Sequence, residues 1–99
     1  MIHVVWEFRV PLEKRAEFEG HYNSSGTWAQ FFHRDPAYRG TTLLRDSKDS
    51  ARYLTVDVWD SLAAYEAFKQ KHHDEYVRLD QSFERLTAEE RSIGIFEGV

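Results

Sequence analysis

The order of apolar patterns along this 99-residue chain predicts one α+β domain built on a four-stranded antiparallel sheet. Three observations carry that expectation. Four short segments alternate apolar and polar residues with the two-residue period of a strand. Segments with apolar residues three and four apart follow the first and third of them. A polar connection short enough for a hairpin joins the second to the third.

Residues 3–10 read as the first strand, with Val4, Trp6, Phe8 and Val10 alternating against His3, Val5, Glu7 and Arg9. Pro11 ends that ladder and suits a helix start, because its missing N–H would be unpaired there anyway. Residues 12–22 are rich in good helix formers, and Phe18 and Tyr22 share a face. Asn23-Ser24-Ser25-Gly26 is a turn signal. A short helix over residues 27–33 gathers Trp28, Phe31 and Phe32 on one side. Asp35-Pro36 closes it, since the residue before proline avoids helical geometry.

Residues 38–45 are the second strand and residues 52–59 the third, joined by the polar stretch 46–50. On the third strand, Leu54, Val56 and Val58 share one face, and Tyr53, Thr55, Asp57 and Trp59 the other. Ser61 can cap the longest helix. Its stripe of Leu62, Tyr65, Phe68, His72, Tyr76, Leu79, Phe83 and Leu86 fits one continuous or gently kinked helix. Thr87-Ala88-Glu89-Glu90 fits a capping box for one more helical turn, and residues 92–97 form the last strand.

The order is therefore β, α with an extra short helix, β, β, α, β. Two βαβ halves with right-handed crossovers make a ferredoxin-like βαββαβ domain over residues 1–99, with its helices on one face of the sheet. The first strand is apolar on one face and charged on the other. If helices cover the charged side, the apolar side needs a partner, and a second copy of the sheet is the simplest one. A homodimer is the expected assembly.

Composition narrows the partners. The net charge of −4 and a pI near 5.7 argue against nucleic acid, whose phosphates require a basic surface. There is no cysteine, which removes thiolate nucleophiles and Cys-based metal sites. No stretch has the length and apolarity of a membrane span or the form of a leader, so a cytoplasmic protein is expected. Fifteen large aromatic residues imply a ring-filled core, a ring-lined pocket, or both.

Several runs of the chain together resemble a known family: Val4-Val5-Trp6-Glu7-Phe8-Arg9-Val10 leading into Glu13-Lys14-Arg15-Ala16-Glu17-Phe18, then Tyr38-Arg39-Gly40-Thr41-Thr42-Leu43-Leu44-Arg45-Asp46, then Tyr53-Leu54-Thr55-Val56-Asp57-Val58-Trp59-Asp60-Ser61 leading into Ala64-Tyr65-Glu66-Ala67-Phe68. They are similar to the antibiotic biosynthesis monooxygenases of the dimeric α/β barrel superfamily. The resemblance covers most of the chain and consists of fold-level signals. It implies a homodimer with facing sheets, and a pocket in each subunit between sheet and helices. It also implies oxygenation of a phenol or quinol by dioxygen with no added cofactor. A related branch degrades haem with an Asn on the first strand and a Trp and a His on the long helix. Glu7 and Phe68 occupy the first two of those positions and the third falls near Arg78, so the resemblance does not extend to haem.

Candidate residues follow from the pattern. Glu7 and Asp57 are carboxylates within strands. Each is either paired with Arg9, Arg45 or Arg52, or exposed at a rim; alternatively Glu7 is a general base with a raised pKa. His72 interrupts an aromatic stripe and is either a hydrogen-bonded core histidine or a base facing a cavity. His33, at the end of the short helix, is a second candidate base, or it binds terminal carbonyls. Trp28, Phe31, Phe32, Tyr65, Phe68 and Tyr76 fill the core or line a pocket for a flat aromatic ligand, with Asp57 as a further binding residue. No spacing supports a metal site, a phosphate loop or a nucleophile elbow. The leading expectation is a cofactor-free monooxygenase of a small aromatic or polyketide-like phenol. The alternatives are a non-catalytic small-molecule-binding dimer, or another reaction such as isomerisation or decarboxylation.

Overall fold

A computed structural model describes residues 1–99. Strands β1 (Ile2–Arg9), β2 (Tyr38–Arg45), β3 (Arg52–Trp59) and β4 (Glu89–Glu97) form one antiparallel sheet in the order β2-β3-β1-β4. This is the ferredoxin-like order. Helices α1 (Arg15–Tyr22), α2 (Thr27–Phe32), α3 (Leu62–Lys71) and α4 (His73–Phe83) cover one face. Short 3₁₀ turns, Leu12–Lys14 and Glu84–Leu86, precede α1 and follow α4.

The core lies between that face and the helices, and aromatic residues dominate it. Phe18 and Trp59 are fully buried, and Tyr53 and Phe68 nearly so. Their rings meet at centroid separations of 4.9 Å for Phe18–Tyr53 and 5.3 Å for Trp59–Phe68, in the tilted arrangements that ring quadrupoles favour.

The apolar side of β1 faces the helices, contrary to the condition set out above. Val4, Phe8 and Val10 are buried there. The charged side stays open because it can be both solvated and paired. Arg52 reaches Glu7 at 2.6 Å, and Arg9 reaches Asp49 at 2.9 Å. The open face still carries apolar residues. Val5, Val56 and Leu54 are half-buried, and Leu44 and Phe96 are 47% and 51% exposed.

The long helix is two helices. It breaks at His72, whose φ of −111° and ψ of 29° leave helical geometry. The break re-aims α4 so that Phe83, and Leu86 beyond it, are buried, whereas Leu62 at the start of the stripe stays largely exposed. Ser61 caps α3 by accepting from the Ala64 N–H at 3.1 Å. The further helical turn predicted at residues 87–90 is absent. The Ala88 N–H bonds to the Arg9 carbonyl, and Glu89 and Glu90 pair with Arg9 and Phe8 as the start of β4. A ladder with β1 satisfies more backbone groups there than one isolated turn could.

Both outer strands are irregular. β4 carries an extra residue at Ile93, between the pairs Val5–Gly94 and Trp6–Ser92, and β2 an extra Arg39 between Tyr38–Trp59 and Gly40–Val58. Each bulge is followed by a glycine at positive φ, Gly94 at 146° and Gly40 at 132°, a conformation side chains resist. The bulge in β2 brings Thr41 opposite Asp57.

Candidate functional site

A cavity of about 270 Å³ opens between sheet and helices, near the lower end of the ~300–1,000 Å³ usual for small-molecule sites. Its floor is Trp6, Phe8, Thr41, Thr55 and Asp57, with Glu90 of β4 at the rim. Its roof is Tyr22 of α1, Trp28 and Phe32 of α2, Tyr65 and Lys69 of α3, and Tyr76 and Asp80 of α4. Trp28 anchors the roof, stacked on Phe32 at 5.7 Å and tilted against Tyr76 at 5.2 Å.

Asp57 is the chemically distinctive group. β3 places it on the helix-facing side, between Thr55 and Trp59, where its neighbours are aromatic. Burial pushes its carboxyl from 3.8 to about 6, partly opposed by the hydroxyl of Thr41. Thr41 donates to Asp57 Oδ1 and sits in hydrogen-bond contact with Tyr38 Oη. With its own proton directed to Asp57, Thr41 accepts from Tyr38, forming a short polar chain behind the carboxylate. No Arg or Lys pairs with Asp57 among the ion pairs of the molecule. Burial raises Tyr38 and Tyr65 to about 12, and Tyr22 and Tyr76 are also raised, so all four phenols keep their protons at neutral pH. Glu90 is raised by burial and by the charges of Asp80 and Glu84.

Trp28, Phe32, Tyr65, Tyr76 and Asp57 therefore meet around one cavity. Phe68 lies behind the lining, against Phe31 at 5.0 Å and Trp59. The three candidate bases lie elsewhere. His72 occupies the α3–α4 break with its ring 4.6 Å from Phe68. His33 is exposed, and its ring meets Tyr38 edge-on at 4.8 Å. Glu7 lies on the opposite face of the sheet, bonded to Arg52 and 3.1 Å from Arg91. Its carboxyl is held below the ordinary range, first by the Arg52 hydrogen bond. That is the paired alternative for Glu7.

Sequence reasoning passed over Lys69, Thr41, Asp80 and Glu90 as cavity residues. For Lys69 a signal existed: it follows Tyr65 by four positions and so shares its face. Thr41 depends on the bulge at Arg39, and Glu90 on β4 beginning where a helix was expected.

Fold and cavity together define a small α+β domain with a ring-lined cavity between sheet and helices. The chain belongs to the antibiotic biosynthesis monooxygenase family, whose model matches residues 1–78. A Deinococcus radiodurans protein assigned to the antibiotic biosynthesis monooxygenases superposes with a TM-score of 0.79 at 13% identity, over 100% of this chain and 93% of that one. SnoaB of Streptomyces nogalater, a cofactor-independent oxygenase, superposes in its N63A form with a TM-score of 0.71 at 22% identity, over 98% and 91%. A Bordetella bronchiseptica protein assigned to the same group gives 0.71 at 22%, over 99% and 96%. At these identities the likeness is one of fold. No curated protein matches the chain. No helix is long and apolar enough to cross a membrane.

Proposed function

We propose that the domain is a cofactor-independent monooxygenase of a small phenol or quinol, with Asp57 as the general base. The observation that carries this reading is an unpaired, half-buried carboxylate with a pKa of about 6 at the floor of an aromatic cavity. A base titrating just below neutral pH is ionised and still able to hold the proton it takes. The phenol loses its proton to Asp57, and the electron pair moves into the ring. The electron-rich carbon then forms a bond to dioxygen, and loss of water from the hydroperoxide leaves a carbonyl. One ring C–H, one phenolic O–H and one O₂ become two C=O groups and one H₂O, so the substrate supplies all four electrons. The rings around Trp28 hold the flat substrate and exclude water from the anion.

Oxygen uptake with a panel of electron-rich phenols and quinols tests the reading. Asp57→Asn is expected to lower turnover by about 100-fold or more, the usual worth of a positioned base. Glu7→Gln, on the far face, is expected to leave it unchanged. Uptake that survives in Asp57→Asn removes Asp57 from the chemistry. Binding without uptake across the panel makes the domain a ligand-binding module.

The same proposal includes a homodimer through the open face of the sheet, where Val5, Leu44, Leu54, Val56 and Phe96 form an apolar surface without cover from the chain itself. Native mass spectrometry is expected to give twice the 11.7 kDa chain mass. A monomer at micromolar concentration overturns this part.

A further inference from the structure

Lys69 is the only Lys or Arg among the cavity residues. Its ammonium lies 5.0 Å from the ring centroid of Tyr65 and 5.2 Å from that of Tyr76, held between one ring of α3 and one of α4. It takes part in none of the molecule's ion pairs, although Asp80 and Glu90 line the same cavity. Electron-rich ring faces thus position a half-buried cation that no carboxylate neutralises. Asp57 rises from the sheet floor, and Lys69 descends from the helical roof.

Resting on the monooxygenase reading above, we propose that Lys69 holds the negative charge the substrate acquires when Asp57 takes its proton, and that the ligand is therefore a phenol with a second, conjugated oxygen on its opposite edge. Proton transfer neutralises Asp57 and makes the ligand an anion. Asp80 and Glu90 oppose that anion, and the tyrosines remain neutral. Lys69 is the one charge in the cavity that favours it. A conjugated ring carries the charge from the floor edge to the roof edge, where the ammonium stands. A quinol or hydroxyquinone has this form, and a phenol with a purely alkyl opposite edge does not.

4-Nitrophenol is a suitable probe, because its anion spreads charge into the nitro group on the opposite edge and absorbs in the visible. The apparent pKa of the bound probe is read from phenolate absorbance across pH in the parent, Lys69→Met and Lys69→Arg. Lys69→Met is expected to raise it by about one unit, a tenfold loss of phenolate at fixed pH. Lys69→Arg is expected to restore most of the difference, and Lys69→Gln repeats the measurement should the methionine variant fail to fold. A bound pKa unchanged in a folded Lys69→Met protein overturns the proposal and leaves Asp57 untouched. A raised pKa without oxygen uptake from any quinol supports the role of Lys69 and defeats the oxygenase reading. Failure of the parent to bind the probe at all defeats both.

Discussion

Gly26→Ala is expected to lower the melting temperature by roughly 15 °C. A Cβ at this position would stand 2.5 Å from the His21 carbonyl oxygen, 2.6 Å from its carbon and 2.8 Å from the Gly20 oxygen. All three are backbone atoms at the end of α1, so no flexible side chain can yield. The backbone itself is ordinary, with φ at −80°, and the requirement for glycine is one of space. The last turn of α1 passes directly over the start of α2, and the chain between them is only four residues long. Relief requires α2 to move, and α2 carries Trp28, Phe31 and Phe32 into the core. Overpacking of this kind costs about 3 kcal/mol or more, which for a domain of this size lowers Tm by roughly 15 °C. Gly20→Ala is the internal control. Nothing lies within 4 Å of its Cβ, and it sits inside α1, so alanine there is expected to stabilise by about 0.5–1 kcal/mol. Thermal melts of the two variants should shift in opposite directions. A Gly26→Ala protein that melts with the parent would mean that the α1–α2 contact is looser than its geometry.

Asp57→Asn is expected to make the protein more stable at pH 7 while removing the base proposed above. The carboxyl rises from 3.8 in the unfolded chain to about 6 in the fold, so the folded state binds its proton more tightly. Stability from this group is complete at acid pH, declines as pH rises between roughly 4 and 6, and is absent at neutral pH, where the buried charge is a penalty. At 1.36 kcal/mol per unit, reduced for the partial exposure of the side chain, that penalty is about 2 kcal/mol. Asparagine keeps the shape and removes the charge, so Tm at pH 7 should increase by roughly 10 °C, and the gain should shrink towards pH 4. Glu7, Glu17, Asp46, Asp49 and Glu75 have the opposite sign. Hydrogen bonds to arginines, or for Asp46 chiefly to the Lys48 backbone, hold them below their ordinary range, so their contribution is lost as pH falls. The variant is therefore best compared with the parent at each pH. A variant no more stable than the parent at neutral pH would mean that water reaches the carboxylate freely.

The strands and most helix positions were legible in the sequence because they follow from local periodicity. β3 shows this most clearly: Tyr53, Thr55, Asp57 and Trp59 alternate with Leu54, Val56 and Val58, and the two sets do lie on opposite faces. What was not legible depends on distant partners. One face of β3 is aliphatic and the other joins two large rings to Thr55 and Asp57, so alternation alone does not say which one the helices take. The start of β4 is set by the Arg9 carbonyl, 79 residues away in sequence from the Ala88 N–H it meets. The break at His72 leaves no proline or glycine as a mark. In the cavity, the rings of Trp28, Phe32, Tyr65 and Tyr76 stood out by spacing. The environment of a carboxylate did not: Glu7 and Asp57 look alike on their strands, and one has arginines while the other has rings.

The placement of the three tryptophans gives the molecule an optical readout of its own. Trp6 and Trp28 border the cavity, whereas Trp59 is fully buried in the core. An aromatic ligand entering the cavity lies beside two indoles and alters their emission, while the third is screened from it by the rings of Phe32 and Tyr65. Intrinsic fluorescence thus carries signal and reference in one chain, and occupancy can be titrated without a label or turnover.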